Sequence, residues 1–281
     1  MLHIATVHWE TDKWIDIQLD YLHRNIKQPF KTYAFLSGDA IAHSAKFSYA
    51  YTEPIKEHAI KLNLLANVIE LVADSESDPL IFIDGDAFPV NPLDDFIGQT
   101  LNNFPLAAIQ RLENVGDIQP HPSFCITTVG FWKRINGDWK EGYEWITTQG
   151  IPRTDVGGNL LKILNDSRIE WKVLLRTDQL TDHPVMFGIY SNLIYHHGAG
   201  FRIPLSRYDR LKPLGTVKKS KLLGTVLDFI LNKLSLKNRF RLHRLLGINK
   251  LIEKQNQQLS DKVYSGILLN KITFKNMPSK S

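Results

Sequence analysis

One cysteine, Cys125, stands in 281 residues. It has no partner for an internal disulfide, so a disulfide-stapled scaffold is excluded and a reducing compartment is the expectation. Long hydrophobic runs are missing too. No stretch reaches the roughly 18 uncharged apolar residues that a membrane-spanning helix needs. The first residues, Met1-Leu2-His3-Ile4-Ala5-Thr6, lack the basic and long apolar regions of a signal peptide. A cytoplasmic protein is expected, attached to a membrane at most peripherally, on its inner face. No internal repeat and no low-complexity tract is visible either.

What is present suits a globular enzyme. Apolar residues make up 43% of the chain and charged residues 22%, enough to bury a sizeable core. The net charge of +5 conceals an asymmetry. Residues 1–201 carry 16 Lys and Arg against 25 Asp and Glu, whereas residues 202–281 carry 18 against 4. An acidic body with a basic tail implies two tasks. The expected division is a catalytic domain over 1–201 and a basic amphipathic helical extension over 202–281, with a soft boundary near Arg202–Pro213.

In the first 200 residues, strand-like runs alternate with helical spacing. His3–Trp9 reads as a strand. Asp12–Asn25 reads as a helix with Thr11 or Asp12 as its N-cap. Thr32–Leu36 is a second strand, Glu53–Ala73 a long helix with Pro54 in its first turn, and Pro79–Ile83 a buried central strand. Later strands are expected at Leu106–Ile109, Phe124–Thr128, Trp171–Leu175 and Ile189–Tyr195, and helices at Asp138–Thr147 and Val156–Leu164. The β-α-β-α-β order predicts an α/β fold, a doubly wound and mostly parallel sheet whose ligands sit at the carboxyl ends of the strands.

Asp84-Gly85-Asp86 falls at that edge, directly after Leu80-Ile81-Phe82-Ile83. A bare Asp-x-Asp is weak evidence in a chain with 19 Asp; the strand before it supplies the context. Gly85 permits a sharp turn and close approach. Two adjacent carboxylates repel unless a cation neutralises them, and Mg²⁺ or Mn²⁺ held there would bridge to a diphosphate.

This segment resembles the Asp-x-Asp region of GT-A glycosyltransferases, including the glycogenin-like and bacterial galactosyltransferase families. The likeness is clear over residues 55–93, looser over 2–200 and absent from 202–281. It implies a GT-A, Rossmann-like sheet with helices on both faces, and a metal-dependent hexosyltransferase. The donor would be a nucleotide sugar, UDP-linked in preference, and the acceptor a hydroxyl of a glycan or lipid-linked molecule. The family's third metal ligand is a late His, for which Ile194-Tyr195-His196-His197-Gly198 offers His196 and His197. Asp155, at a helix start in Arg153-Thr154-Asp155-Val156-Gly157-Gly158, matches the acid that faces the transferred sugar or acceptor, with helix capping as the competing role. Thr6, Val7 and His8 stand where the family binds the nucleoside. Lys61 resembles its basic residue for the diphosphate, with His58 one turn before it. His121-Pro122-Ser123-Phe124 would line the acceptor cleft. Trp132 and Trp139 are candidates for stacking on a sugar, while Trp145 is read as core.

In the basic tail Lys218, Lys219 and Lys221 lead into Leu222, Leu223, Val226, Leu227, Ile230, Leu231 and Leu234, and Lys237, Arg239, Arg241 and Arg244 are then interleaved with Phe240, Leu242, Leu245 and Leu246. A cationic face beside an apolar stripe suits an anionic membrane surface, or a stripe packed on the body. Nucleic acid would leave the stripe without a partner and is not expected. Two other functions fit an Asp-x-Asp. One is a haloacid-dehalogenase-type phosphatase with Asp84 as nucleophile, which normally carries the motif on its first strand. The other is a non-catalytic, membrane-associated nucleotide-sugar-binding protein.

Overall fold

Short apolar runs become the strands of a seven-stranded sheet. They are β1 (Leu2–His8), β2 (Phe30–Leu36), β3 (Tyr49–Tyr51), β4 (Pro79–Asp84), β6 (Leu106–Ile109), β7 (His121–Thr128) and β10 (Lys172–Leu174). A smaller antiparallel sheet holds β5 (Ala87–Pro89), β11 (Gly188–Tyr190) and β12 (Ile194–His196), and β8 (Trp145–Ile146) pairs with β9 (Pro152–Arg153). Among the described residues the α-helices are α1 (Ile15–Asn25), α2 (His58–Val72), α3 (Asp94–Asn103), α4 (Val129–Arg134), α5 (Gly158–Asp166) and α6 (Ile248–Leu268). The computed structural model describes residues 1–148, 150–178, 183, 185–198, 233–235, 238, 241, 245, 248–272 and 274.

The chain divides into two compact units, Met1–Phe201 with Phe274–Ser281, and Arg202–Thr273. In the first unit the main sheet has the spatial order β10-β6-β7-β4-β1-β2-β3. Every neighbouring pair is parallel except those made by β7, which runs antiparallel to β4 and β6. Period-two alternation splits the strand side chains between two cores. Ala5, Val7, Leu80 and Phe82 pack under α2, α4 and α5, while Leu2, Ile4, Ile81 and Ile83 pack with α1 and α3 on the other face. This is the α/β, mostly parallel arrangement with helices on both faces that the sequence led us to expect. The order reverses between β1 and β4, where a doubly wound sheet opens a crevice at its carboxyl edge.

Several boundaries differ from the sequence reading. The helix expected over Asp138–Thr147 does not form. The Asp138 carboxylate accepts bonds from Asn63 Nδ2 (2.6 Å), Asn159 Nδ2 (2.9 Å) and the Lys140 N–H (3.0 Å), a side-chain alternative to helical bonding, and Trp145 lies in β8 instead. Helix α2 begins at His58 rather than Glu53, because residues around Pro54 stay non-helical. Helix α1 starts at Ile15 after Trp14, with no side-chain cap from Thr11 or Asp12. The late strand breaks into β11 and β12 at Ser191 and Asn192, whose φ angles are 50° and 55°. Trp132 and Trp139 are core, with ring centroids 4.6 and 5.1 Å from that of Phe82.

The second unit contains α6. Most of the expected amphipathic pattern between residues 218 and 246, and the boundary near 202–213, lie outside the described residues. Among the described residues no helix is long and apolar enough to cross a membrane.

Phe82 is fully buried between two indoles. Phe82→Ala should therefore cost about 3–5 kcal/mol in urea unfolding. A loss under about 1 kcal/mol, the range of a surface change, would contradict this packing.

Candidate metal centre

The site begins where β4 ends. Val7 of β1 is registered against Asp84, so the β1 terminus lies directly beside the Asp84-Gly85-Asp86 turn. A Cβ added to Gly85 would lie 2.5 Å from the Val7 carbonyl oxygen and 2.7 Å from His8 Nδ1. Glycine is required here by close approach to the neighbouring strand, not by a left-handed backbone.

The smaller sheet delivers the third residue. β12 pairs with β5, placing His196 opposite Ala87, next to Asp86 in the chain. His196 Nε2 lies 3.6 Å from Asp84 Oδ2 and 3.5 Å from Asp86 Oδ1. Asp84, Asp86 and His196 each offer a ligand atom, all within 4.8 Å of one another. Two donors about 2.1 Å from a common divalent ion stand ~3.0 Å apart when cis and ~4.2 Å when trans, which brackets the two histidine separations. The outward oxygens are held. His58 Nε2 donates to Asp84 Oδ1 at 2.9 Å, and the Gly198 N–H donates to Asp86 Oδ2 at 3.1 Å. Each carboxylate thus turns one oxygen towards the imidazole while the other is anchored, the hydrogen-bonded support typical of ligating carboxylates. The donor set fits a divalent cation, and it fits the Asp-x-Asp pattern of the GT-A fold.

His197 goes elsewhere. Its Nδ1 is hydrogen-bonded to the Tyr195 hydroxyl at 2.9 Å, and its ring lies 4.5 Å from Trp14 and 4.7 Å from Phe187. Burial pulls its pKa down to about 3, so it is a neutral core imidazole. Of the two sequence candidates, the structure brings His196 to the acids.

The other expected residues are distributed less directly. Thr6, Val7 and His8 are all buried, so their side chains face the protein. Lys61 is buried under Trp9, its Nζ 3.4 Å from the ring centroid. Burial lowers its pKa to about 8 against the opposing fields of Glu10 and Glu57. Asp155 precedes α5, whose cap position is Gly157 (φ 103°), and its Oδ1 accepts the Val156 N–H at 2.9 Å. Thr154 Oγ1 accepts the Gly142 N–H at 2.9 Å. His121 stands near the centre, its ring 5.7 Å from that of His196. Asp84 closes the fourth strand in chain order, not the first, where the phosphatase alternative carries its nucleophile.

Three residues escaped the sequence reading. Asp117 is buried, and burial raises its pKa to about 7; the Gln119 N–H and Arg111 oppose the rise and Asp155 adds to it. Arg111, itself buried, donates Nη2 to the Val185 carbonyl at 3.2 Å. Nothing in the loop from 110 to 120 marked either. Gln18 is the third and did leave a signal. It shares the buried stripe of α1 with Ile15 and Leu22, where an amide is out of place unless it is bonded. Its Nε2 donates to the carbonyls of Asp84 and Ala87, both at 2.8 Å. Its Oε1 accepts from Thr6 Oγ1 at 3.0 Å and lies 3.1 Å from His8 Nε2.

No family model and no curated protein matches this chain. Among solved structures it is similar to S. aureus TarS 1–349, at 14% identity over 50% of each chain with a TM-score of 0.37. It is also similar to galactosyltransferase LgtC in complex with donor and acceptor sugar analogs, at 10% identity over 61% of this chain and 73% of that one, TM-score 0.37. A third is HddC from Yersinia pseudotuberculosis, at 12% identity over 62% and 90%, TM-score 0.39. The match spans half the length of the TarS fragment. What the centre can do follows from its own side chains.

Burial pulls the His8 pKa down from 6.5 to about 4. An imidazole with a depressed folded pKa stabilises the fold above its unfolded value and loses that contribution as pH falls from about 6.5 towards 4, because the unfolded chain binds the proton first. Between pH 7.5 and 4.5, wild type should lose about 2–3 kcal/mol more in urea unfolding than His8→Gln. Equal losses in the two proteins would contradict a neutral buried His8.

Proposed function

We propose that the chain is a metal-dependent glycosyltransferase. It takes a sugar from a nucleoside diphosphate sugar, UDP-linked in preference, and passes it to a hydroxyl of a glycan or lipid-linked acceptor. The observation that carries this reading is the convergence of Asp84, Asp86 and His196 at the crevice between β4 and β1. Two carboxylates with one imidazole suit Mn²⁺, and Mg²⁺ to the extent that it accepts nitrogen. Once bound, the ion supplies Lewis-acid stabilisation of the charge on the departing diphosphate.

The chain's own residues set the conditions for that step. Asp84 and Asp86 present one oxygen each, with His58 and the Gly198 N–H fixing the others. Donor contacts at the end of β1 fall, in this reading, to the backbone and Trp9, which the enclosure of the Thr6, Val7 and His8 side chains supports. Lys61, in this reading, meets the diphosphate once Trp9 has swung from its ammonium. Asp155 is assigned to the sugar and acceptor side, supported by the mutual fields of Asp155, Asp117 and Arg153. It acts as general base towards the acceptor hydroxyl if the enzyme inverts, or as a ligand of a sugar hydroxyl if it retains.

The basic stretch 202–281 is assigned to an anionic membrane surface, where a lipid-linked acceptor would be found. Its support is the excess of 18 Lys and Arg over 4 Asp and Glu. Full-length protein should float with phosphatidylserine-containing liposomes and a chain ending at residue 213 should not; unchanged flotation rejects the assignment.

Asp86→Ala should keep its far-UV and near-UV spectra. It should lower Mn²⁺-dependent hydrolysis of a UDP-sugar by about 100-fold or more, the equivalent of several kcal/mol of charge stabilisation. Retained metal-dependent hydrolysis removes Asp86 from the chemistry.

A further inference from the structure

We infer that Gln18 is the positioning residue of the metal centre: its carboxamide clasps both ends of the Asp84–Ala87 turn from behind and sets the aim of the two carboxylates. The inference rests on the metal reading above and adds to it a residue outside the Asp-x-Asp motif.

Gln18 is fully buried, and all four of its polar contacts serve one purpose. The carbonyl oxygens of Asp84 and Ala87, the first and last residues of the turn, each receive a bond of 2.8 Å from the same Nε2. Two carbonyls can be satisfied only by an NH₂ group, so the amide nitrogen must face the turn and the oxygen must face β1. That orientation makes Oε1 the acceptor for Thr6 Oγ1 and for His8, which must carry its proton on Nε2. His8 Nδ1 is then turned towards Gly85, 2.7 Å from where a Cβ would stand. One side chain from α1 thereby ties the β1 terminus to both ends of the segment that carries Asp84 and Asp86. Replacing it frees two carbonyls at the flanks of the ligand turn, one of them buried, so the turn opens before the strands behind it give way. The carboxylate oxygens move with the backbone to which they are attached.

Mn²⁺ binding separates positioning from stability. It is measured by the loss of the free-ion electron paramagnetic resonance signal on full-length protein without any substrate. Gln18→Met has similar volume and no hydrogen bonds, and should weaken Mn²⁺ binding about 10–100-fold, the usual effect of outer-shell changes. Leu65→Ala, in the core under the opposite face, serves as a destabilised control and should stay within about twofold of wild type. Should Gln18→Met fail to fold, Thr6→Val removes one bond that orients the amide, and should still weaken binding about threefold. Wild-type binding that Asp86→Ala abolishes but Gln18→Met and Thr6→Val leave unchanged overturns the inference alone. A wild type that binds no Mn²⁺ overturns the metal reading and the inference with it.

Discussion

The repulsion between two carboxylates held at the edge of a parallel sheet is the constraint on which the rest of this structure depends. Asp84 and Asp86 cannot separate. The first ends β4, the second precedes β5, and the turn between them is pressed against the Val7 carbonyl at a distance that admits only glycine. Their charge is met partly from within, by His58 on α2 and by the Gly198 N–H. The oxygens left facing each other, with His196 Nε2 as the third corner, make a place where a divalent cation would relieve the repulsion.

The scaffold around this corner is built from both halves of the chain. The β1 terminus presses from one side and β12 from the other, while α1 sends a buried amide up from below. Buried imidazoles reinforce it as neutral groups. His8 and His197 are both held far below the ordinary histidine pKa by burial, so they add hydrogen bonds and packing without adding positive charge. What keeps them from the acids is direction: His8 Nε2 lies 3.1 Å from Gln18 Oε1 and His197 Nδ1 2.9 Å from the Tyr195 hydroxyl. His196, one residue from His197, faces the two acids because strand alternation sends its side chain the opposite way.

Much of the fold was legible because apolar runs and helical spacing are local signals. Leu106–Ile109 was read at its observed bounds, and β4, β1 and α1 within a few residues. The misreadings have separate causes. At Asp138 three side-chain bonds override a helical pattern, and at Ser191–Asn192 a tight turn divides what reads as one strand. Of the site, the Asp-x-Asp pair and the two-histidine stretch were visible as motifs. Which histidine points inward was not, since that depends on the pairing of β12 with β5 across more than 100 residues of chain. Gln18 was half visible, as an amide within an apolar stripe whose partners lie 66 and 69 residues away. For Lys61 the sequence position suited a phosphate contact, and the seat of its ammonium against the Trp9 ring was what local signals did not carry.

The most direct test is crystallographic. A crystal soaked with Mn²⁺ and UDP should show an anomalous peak bonded to Asp84 Oδ2, Asp86 Oδ1 and His196 Nε2, with the diphosphate on its open side. A peak elsewhere, or none with the two carboxylates turned apart, would contradict the metal centre and the glycosyl transfer proposed from it.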